Sequence, residues 1–387
     1  MDFILNGQPT GDVAQVLMQH NFDPGALRPF KGSDGRSYVT LVKRNLDGTP
    51  MLHNEATINA WAKQKGLQLN EERVQQLVGT SMVHNVLANT QATLRKDEWI
   101  QLDRAVREQA RPRLKAFQDL RTIGSLTIPN GMGKTILEYQ NQTDITPATV
   151  SMDGLKEGLT DRSEFDLRGL PLPITHKDFQ FSARQLATSR NDGTPFDTTN
   201  AGLAGRKVAE EIERATLGLS NQMPAYGGYR VFGYKDFPQR LTLVLTAPTD
   251  PDWTPRTLVQ EVLQMKKLSQ DANHRGPWKL YCSSDWDPYM DDDYSEQKGS
   301  NTLRQRLADI KDITEPETLD YLDGFDLILV QQTPDVARAV VAMDITTLQW
   351  PSHGGMQQNF KVMGIMVPQI RSDAINQTGI VHAAPAP

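Results

Sequence analysis

Two stretches of the chain carry apolar side chains at helical spacing. Between residues 93 and 121, Trp99, Leu102, Val106, Ala110, Leu114, Phe117 and Leu120 recur at intervals of three and four, which sets them on one stripe of an amphipathic helix. Pro112 interrupts this stripe, and a residue without a backbone donor predicts a kink there. Residues 198–219 repeat the pattern with Ala201, Ala204, Val208, Ile212, Ala215 and Leu219. Asp197, Thr198, Thr199 and Asn200 offer N-caps, and Gly218 lies near the end. At ~1.5 Å per residue this second helix is roughly 30 Å long, enough for a structural spine.

Between the two helices the period changes. Lys134–Gln140 and Pro171–Arg184 read as the strands of a long hairpin over residues 127–185, joined by about thirty residues rich in Thr, Asp, Gly and Ser. A polar connection of that length points to a projecting loop. In the return strand Leu172 and Ile174 share one parity, while Phe179, Phe181 and Ala183 share the other. A bulge or bend near His176–Asp178 is therefore expected.

Residues 226–343 alternate helix and strand. Leu241–Leu245 and Lys279–Cys282 read as buried strands, Thr254–Leu268 and Asn301–Ile310 as helices, and Phe325–Val330 as a central strand. Residues 344–370 return to strand-like runs (Thr346–Trp350, Phe360–Val367), and the last residues, ending Ala-Ala-Pro-Ala-Pro, are expected to be a tail. Residues 1–90 carry short apolar patches broken by turn signals such as Asp23-Pro24-Gly25 and Gly32-Ser33-Asp34-Gly35. Short helices are expected near Glu55–Lys65 and Asn70–Thr80. The segment suits an arm that packs on something else.

Composition narrows the classes. A chain of 387 residues exceeds one ordinary core and supplies two or three substructures. Its mean hydropathy of -0.50 places much of it in water or in extended arms. No window approaches the ~18 apolar residues of a membrane span. Residues 1–15 have no basic start, so no secretory leader is expected. The single cysteine, Cys282, can form no internal disulfide, which suits a reducing cytoplasm, and no Cys/His cluster offers a zinc site. A net charge of -6 gives no footprint for gripping nucleic acid. A wall of that charge can still enclose packed DNA and release it. Arg104, Arg107, Arg111 and Lys115 on the first helix are interspersed with Asp97, Glu98, Asp103, Glu108 and Asp119, and read as a solvated face.

Candidate chemistry is sparse. Asn130-Gly-Met-Gly-Lys-Thr135 has the look of a phosphate-binding loop, but the motif needs a glycine where Ile128 stands. A turn that starts a hairpin is the simpler reading, and Lys134 is the residue a nucleotide site would use. Asp285, Asp287, Asp291, Asp292 and Asp293 form an acidic cluster of the kind that can bind a divalent metal, but Glu296 stands where a calcium loop needs glycine. A solvated helix start accounts for the cluster. His20, His53, His84, His176, His274, His353 and His382 are scattered, and no HExxH pair occurs. Ser151, Ser182 and Ser220 sit in no nucleophile elbow, and His353-Gly354-Gly355 reads as a turn between strands. No catalytic, cofactor-binding or metal-ligating residues are expected, so the chain is not expected to be an enzyme.

One resemblance organises these elements. Phe181, Ser182 and Arg184 end a strand, Gly193 sits in a turn, and Asp197 precedes a helix that carries Ala204, Ala209, Glu210, Glu211 and Gly218. This pattern resembles that of the encapsulin and tailed-phage major capsid superfamily, and the helix Leu94–Arg121 is similar to the one before the hairpin in its encapsulin-like branch. The resemblance covers roughly residues 94–219. It implies an α+β chain with the tailed-phage major capsid fold. The implied order is an N-arm over 1–92, the first helix of a peripheral domain over 93–126, and an E-loop hairpin over 127–185. The peripheral spine helix then takes 186–225, an axial α/β domain takes 226–343, and peripheral return strands with a C-terminal tail take 344–387.

The implied function is structural. Copies form hexamers and pentamers that tile an icosahedral phage head around double-stranded DNA, without sequence-specific binding. Portal and scaffold proteins act during assembly in the host cytoplasm, and a cement protein can decorate the virion. About ninety residues precede the family-like part, which favours a phage head over an encapsulin-like nanocompartment with enzyme cargo. Some members crosslink a lysine to an asparagine. Lys134, Lys156 and Lys177 lie in the hairpin region without a recognisable acidic catalyst, so no crosslink is expected. A nucleotide- or metal-dependent enzyme built on Lys134 or on Asp285–Asp293 is the remaining alternative.

Overall fold

The structure is a computed structural model. It describes residues 29–34, 36–42, 56, 58, 59, 63, 83–87, 94–129, 131–142, 152, 165–191, 197–294, 301–373 and 376–385. In chain order the elements begin with strands β1 (Pro29–Lys31), β2 (Ser37–Val42) and β3 (Val83–Leu87) and helices α1 (Lys96–Ala110) and α2 (Lys115–Ile123). Strands β4 (Ser125–Thr127), β5 (Ile136–Gln142), β6 (Phe165–Pro171) and β7 (Thr175–Ser182) follow, then helices α3 (Ala183–Asn191) and α4 (Thr199–Leu217). Next come β8 (Leu241–Leu245), α5 (Pro255–Asp271), β9 (Trp278–Ser283), α6 (Asp287–Met290) and α7 (Leu303–Ala308). The chain closes with β10 (Ile313–Leu319), β11 (Leu327–Gln331), β12 (Ala337–Ser352), β13 (Gln357–Ile370) and β14 (Ile380–Pro385). The helix expected near Asn70–Thr80 lies outside the described residues.

The chain forms two compact units. One takes Met1–Val106, Asp178–Gly202 and Thr346–Val362, and the other takes Arg107–Lys177, Leu203–Ile345 and Met363–Pro387. The first expected helix is present and breaks where Pro112 stands. A short 3-10 turn at Arg111–Arg113 separates α1 from α2. Trp99, Leu102, Val106 and Ala110 on α1 are buried, as are Phe117 and Leu120 on α2. The stripe therefore survives the break.

In the first unit, aromatic rings fill the space between α1 and the strands. Phe360 stacks on Phe179 at 5.2 Å and meets Trp99 edge-on at 6.1 Å. Arg190, at the end of α3, grips both oxygens of Glu98 at 2.7 and 2.6 Å. This two-pronged pair joins α3 to the first turn of α1.

In the second unit a five-stranded sheet runs in the order β10-β9-β11-β14-β8. Helices α5 and α7 cover one face. Leu258, Val262 and Met265 of α5 pack with Leu303 and Leu307 of α7 against Leu280, Leu327, Leu329 and Val381. Thr254 caps α5 through its side chain, and Thr302 with Gln305 forms a capping box at the start of α7. A second sheet has the order β4-β12-β13-β7, and among the described residues β5 and β6 form a two-stranded sheet.

The spine helix α4 has the expected stripe, with Ala201, Ala204, Val208, Ile212 and Ala215 buried. Asp197 accepts the Thr199 amide at 2.9 Å and starts it. Gly218 ends it at φ +81, where a Cβ would meet Asp236 at 2.5 Å, so only glycine fits. Leu219 falls beyond the last helical turn and is only half-buried.

Three expectations are corrected. The hairpin's return strand is not Pro171–Arg184. Strand β5 pairs with Phe165–Pro171, from Ile136↔Pro171 to Gln142↔Phe165. Strand β7 belongs to a different sheet, and Arg184 lies in α3. The parity change therefore falls at residues 172–174 rather than at a bulge in β7. Pro171 and Pro173 lack amide donors, so the strand cannot continue through them.

The expected C-terminal tail is instead an inner strand. Ile380–Pro385 lies between β11 and β8, and Ile380, Val381 and Ala383 are buried. The run is too short to show periodicity, and its flanking prolines disguise it. Strand β10 was also not expected. Pro316 interrupts it, and a register shift between Thr314 and Glu317 absorbs the proline on an edge strand.

Candidate functional site

The projecting hairpin is the element that sequence reasoning singles out for function. Its strands pair over seven residues each, and Tyr139 faces Arg168 across them. Most of the connecting residues, 143–164, lie outside the described residues. A turn braces the hairpin at its base. Tyr226 and Tyr229 exchange backbone hydrogen bonds, both at 3.0 Å, around Gly227 and Gly228 at φ +62 and +80. That is the turn a Gly-Gly pair favours. The ring of Tyr229 lies on Gly169 so closely that a Cβ there would sit 2.4 Å from it.

Between the turn and the hairpin runs an open groove of about 320 Å³ walled by Tyr139, Arg168, Tyr229, Arg230, Phe232 and Phe237. Arg371 lies over the Tyr139 ring at 5.5 Å and Arg230 over Phe232 at 5.8 Å. Leu167 on the hairpin and Tyr226 in the turn are exposed. Arginine and aromatic side chains of this kind are enriched where proteins dock on one another. The sequence reading missed this wall. Its one signal was the Tyr-Gly-Gly-Tyr run.

The other candidates find ordinary partners. Lys134 is exposed, follows a 3-10 turn at Gly131–Gly133 and leads into β5 rather than into a helix. A Cβ on Gly131 would lie 2.2 Å from the Ala342 carbonyl, so that glycine serves packing. In the acidic cluster, Arg304 holds Asp287 at 2.8 Å and Asp291 at 3.0 Å, and the Thr318 hydroxyl donates to Asp287 at 2.5 Å. No group of three metal-ligating side chains occurs among the described residues.

Cys282 is buried in β9, where burial pushes its thiol up, and it donates to the Glu317 carbonyl. His353 sits in the β12–β13 turn, as expected. His382 lies 3.6 Å from Asp326. Ser182 caps α3 with Gln185, and Ser220 pairs with Glu211. His20, His53 and Ser151 lie outside the described residues.

A polar layer of buried and half-buried side chains lines the other face of the five-stranded sheet. Lys279 on β9 reaches Asp119 at 2.6 Å and also pairs with Glu317, and the Tyr281 hydroxyl donates to Asp119 at 2.8 Å. Burial alone would lower the Lys279 ammonium, but its two carboxylates hold it above the ordinary lysine value. Burial would likewise raise Asp326, yet donors from His382 and Lys235 hold it down. Among the described residues, Glu213 on α4 has no such cation. Burial pushes its carboxyl up to about 7, against the pull of amide donors from Ala116 and Phe117.

Comparisons with known proteins bear on this arrangement. The model of a family of unknown function, DUF6260, matches residues 88–383. No curated protein matches the sequence. The fold is similar to that of a virus-like particle from Pyrococcus furiosus, with 16% identity and a TM-score of 0.52, over 74% of this chain and 98% of that one. It is also similar to the capsid of Myoviridae phage XM1, with 7% identity and a TM-score of 0.51, over 65% of this chain and 86% of that one. The α+β architecture is thus a tailed-phage capsid fold.

Proposed function

The chain belongs to the family of unknown function DUF6260, and we propose that it is the major capsid subunit of a tailed phage. The capsid fold carries this reading. The braced hairpin supports it, since two strands with an exposed rim gain burial from a neighbouring copy. Copies assemble as hexamers and pentamers into an icosahedral head around double-stranded DNA. A repeated head-to-tail contact closes into rings, and many weak contacts then add. Portal and scaffold proteins assist in the host cytoplasm, a cement protein can decorate the shell, and the protein ends in the virion. Its role is structural rather than enzymatic.

On this reading residues 1–92 are the N-arm, 93–126 and 186–225 carry the peripheral helices, 127–185 hold the E-loop, and 226–343 form the axial domain. The last of these gains β14 from the C-terminal end. Electron microscopy of the full chain, expressed alone and with its scaffold, tests the proposal. Shells or capsomers are expected, and a strictly monomeric protein in both preparations contradicts it.

One observation favours a second reading. The match to the Pyrococcus furiosus virus-like particle covers nearly all of that chain, which suits a nanocompartment shell with enzyme cargo. Neighbouring reading frames separate the two: portal and terminase genes for a phage, a peroxidase or ferritin-like cargo for a compartment.

A further inference from the structure

The net charge of -6 is not spread evenly, and the first unit holds a basic hollow. Lys31 and Ser33 line it from β1 and the turn after it, Arg95, Lys96 and Asp97 from the start of α1, and Arg190 from the end of α3. The buried ring of Phe30 is among its walls. The hollow is open to solvent and encloses about 570 Å³.

Two of the cations are brought together by the backbone. Lys31 and Arg95 face each other across a parallel bridge, fixed by the Lys31 amide on the Leu94 carbonyl at 2.8 Å. Bridge partners project their side chains to the same side, and like charges set opposite each other cost free energy. Lys96 follows in the chain, and its ammonium lies 5.7 Å from the centre of the Phe30 ring. Two acids close by in the chain are committed elsewhere. Glu98 holds Arg190 with both oxygens and accepts the Arg95 amide at 2.8 Å. Asp34 accepts the Tyr38 hydroxyl at 2.5 Å and the Arg36 amide at 3.1 Å. Asp97 is the one acid on the wall, and among the described residues no carboxylate pairs with Lys31, Arg95 or Lys96.

We propose that this hollow binds a phosphate group, either free or on a nucleic-acid backbone. A carboxylate brings a single charge to three cations. A free phosphate brings about -1.5 to -2 near pH 7, and a nucleic-acid backbone brings a charge with every nucleotide. The Arg95 fork can hold two phosphate oxygens at once, while Lys31 and Lys96 act as point charges. Ser33 adds a hydroxyl donor. The positive end of the α1 dipole lies at the same wall and reinforces the field. A bound phosphate offsets the repulsion between Lys31 and Arg95. The site lies within the first unit and does not depend on what the chain assembles into.

Equilibrium dialysis of the full chain tests the proposal, in chloride of matched ionic strength. One arm uses radiolabelled inorganic phosphate and the other a short DNA duplex. The site variant combines Lys31→Gln with Arg95→Gln, both exposed positions. The control combines Lys207→Gln with Lys267→Gln, which removes as much charge from exposed positions of the second unit. Wild type should take up phosphate saturably, the site variant should bind it at least about tenfold more weakly, and the control should match wild type. A duplex held more tightly than free phosphate, with affinity that falls steeply as salt rises, identifies the backbone as the source. Uptake of phosphate without the duplex identifies the free anion. A wild-type chain that takes up neither, or equal losses in the site variant and the control, overturns the proposal.

Discussion

The five-stranded sheet and the β5–β6 hairpin lie in the same unit and handle burial in opposite ways. Every residue of β11 is buried. Leu327 and Leu329 sit between β9 on one side and β14 on the other, under α5 and α7. That sheet completes its own core. The hairpin has two strands among the described residues, and a lone two-stranded ribbon is marginal in water. It leaves Leu167 51% exposed and leans on the Tyr226–Tyr229 turn at its base. The sheet stores folding stability inside one subunit. On the proposed function the hairpin is finished by another subunit, and that is where assembly should be most sensitive.

Breaking each region should therefore give a different failure. Removal of residues 144–163, which spares both strands of the hairpin, should abolish shell closure and leave subunit stability within about 0.5 kcal/mol. Electron microscopy and urea unfolding of the same preparation check both halves. Normal closed particles would defeat the hairpin assignment.

Leu329→Ala, in the sealed core, should cost about 2–5 kcal/mol of folding stability, read from the urea midpoint. Its shells should fail only because subunits unfold. Tyr229→Ala uncovers Gly169 and frees the hairpin base. It should cost roughly 1–2 kcal/mol in unfolding and more in assembly yield, so a loss confined to stability would blur the contrast. The smallest effect belongs to the exposed Arg121–Asp344 pair at 3.0 Å. Arg121→Ala should change stability by less than about 1 kcal/mol, and less still at high salt.

The two long helices were legible because their stripes repeat over several turns, and even the break at Pro112 could be read from the residue itself. The inner strands were legible in Phe325–Val330 and Lys279–Cys282, short runs that each hold a single charged side chain. What escaped was decided by neighbours. Pro171 and Pro173 divide one apparent strand into two that serve different sheets. Strand β14 hides in a proline-ended run and gains its place from pairing with β11 and β8. Glu213 follows Glu210 and Glu211, a run that looks solvated. Only the arrival of α2 buries it. The groove wall at Tyr229 rests on contact with Gly169, which no local pattern announces.

The proposed function stands or falls on whether this chain closes into a shell. Electron microscopy of the full-length protein, purified after expression with its scaffold, tests it most directly. Closed particles tiled by hexamers and pentamers are expected, with the β5–β6 hairpin of one copy lying on the next. A protein that stays monomeric at high concentration, both alone and with its scaffold, would contradict it.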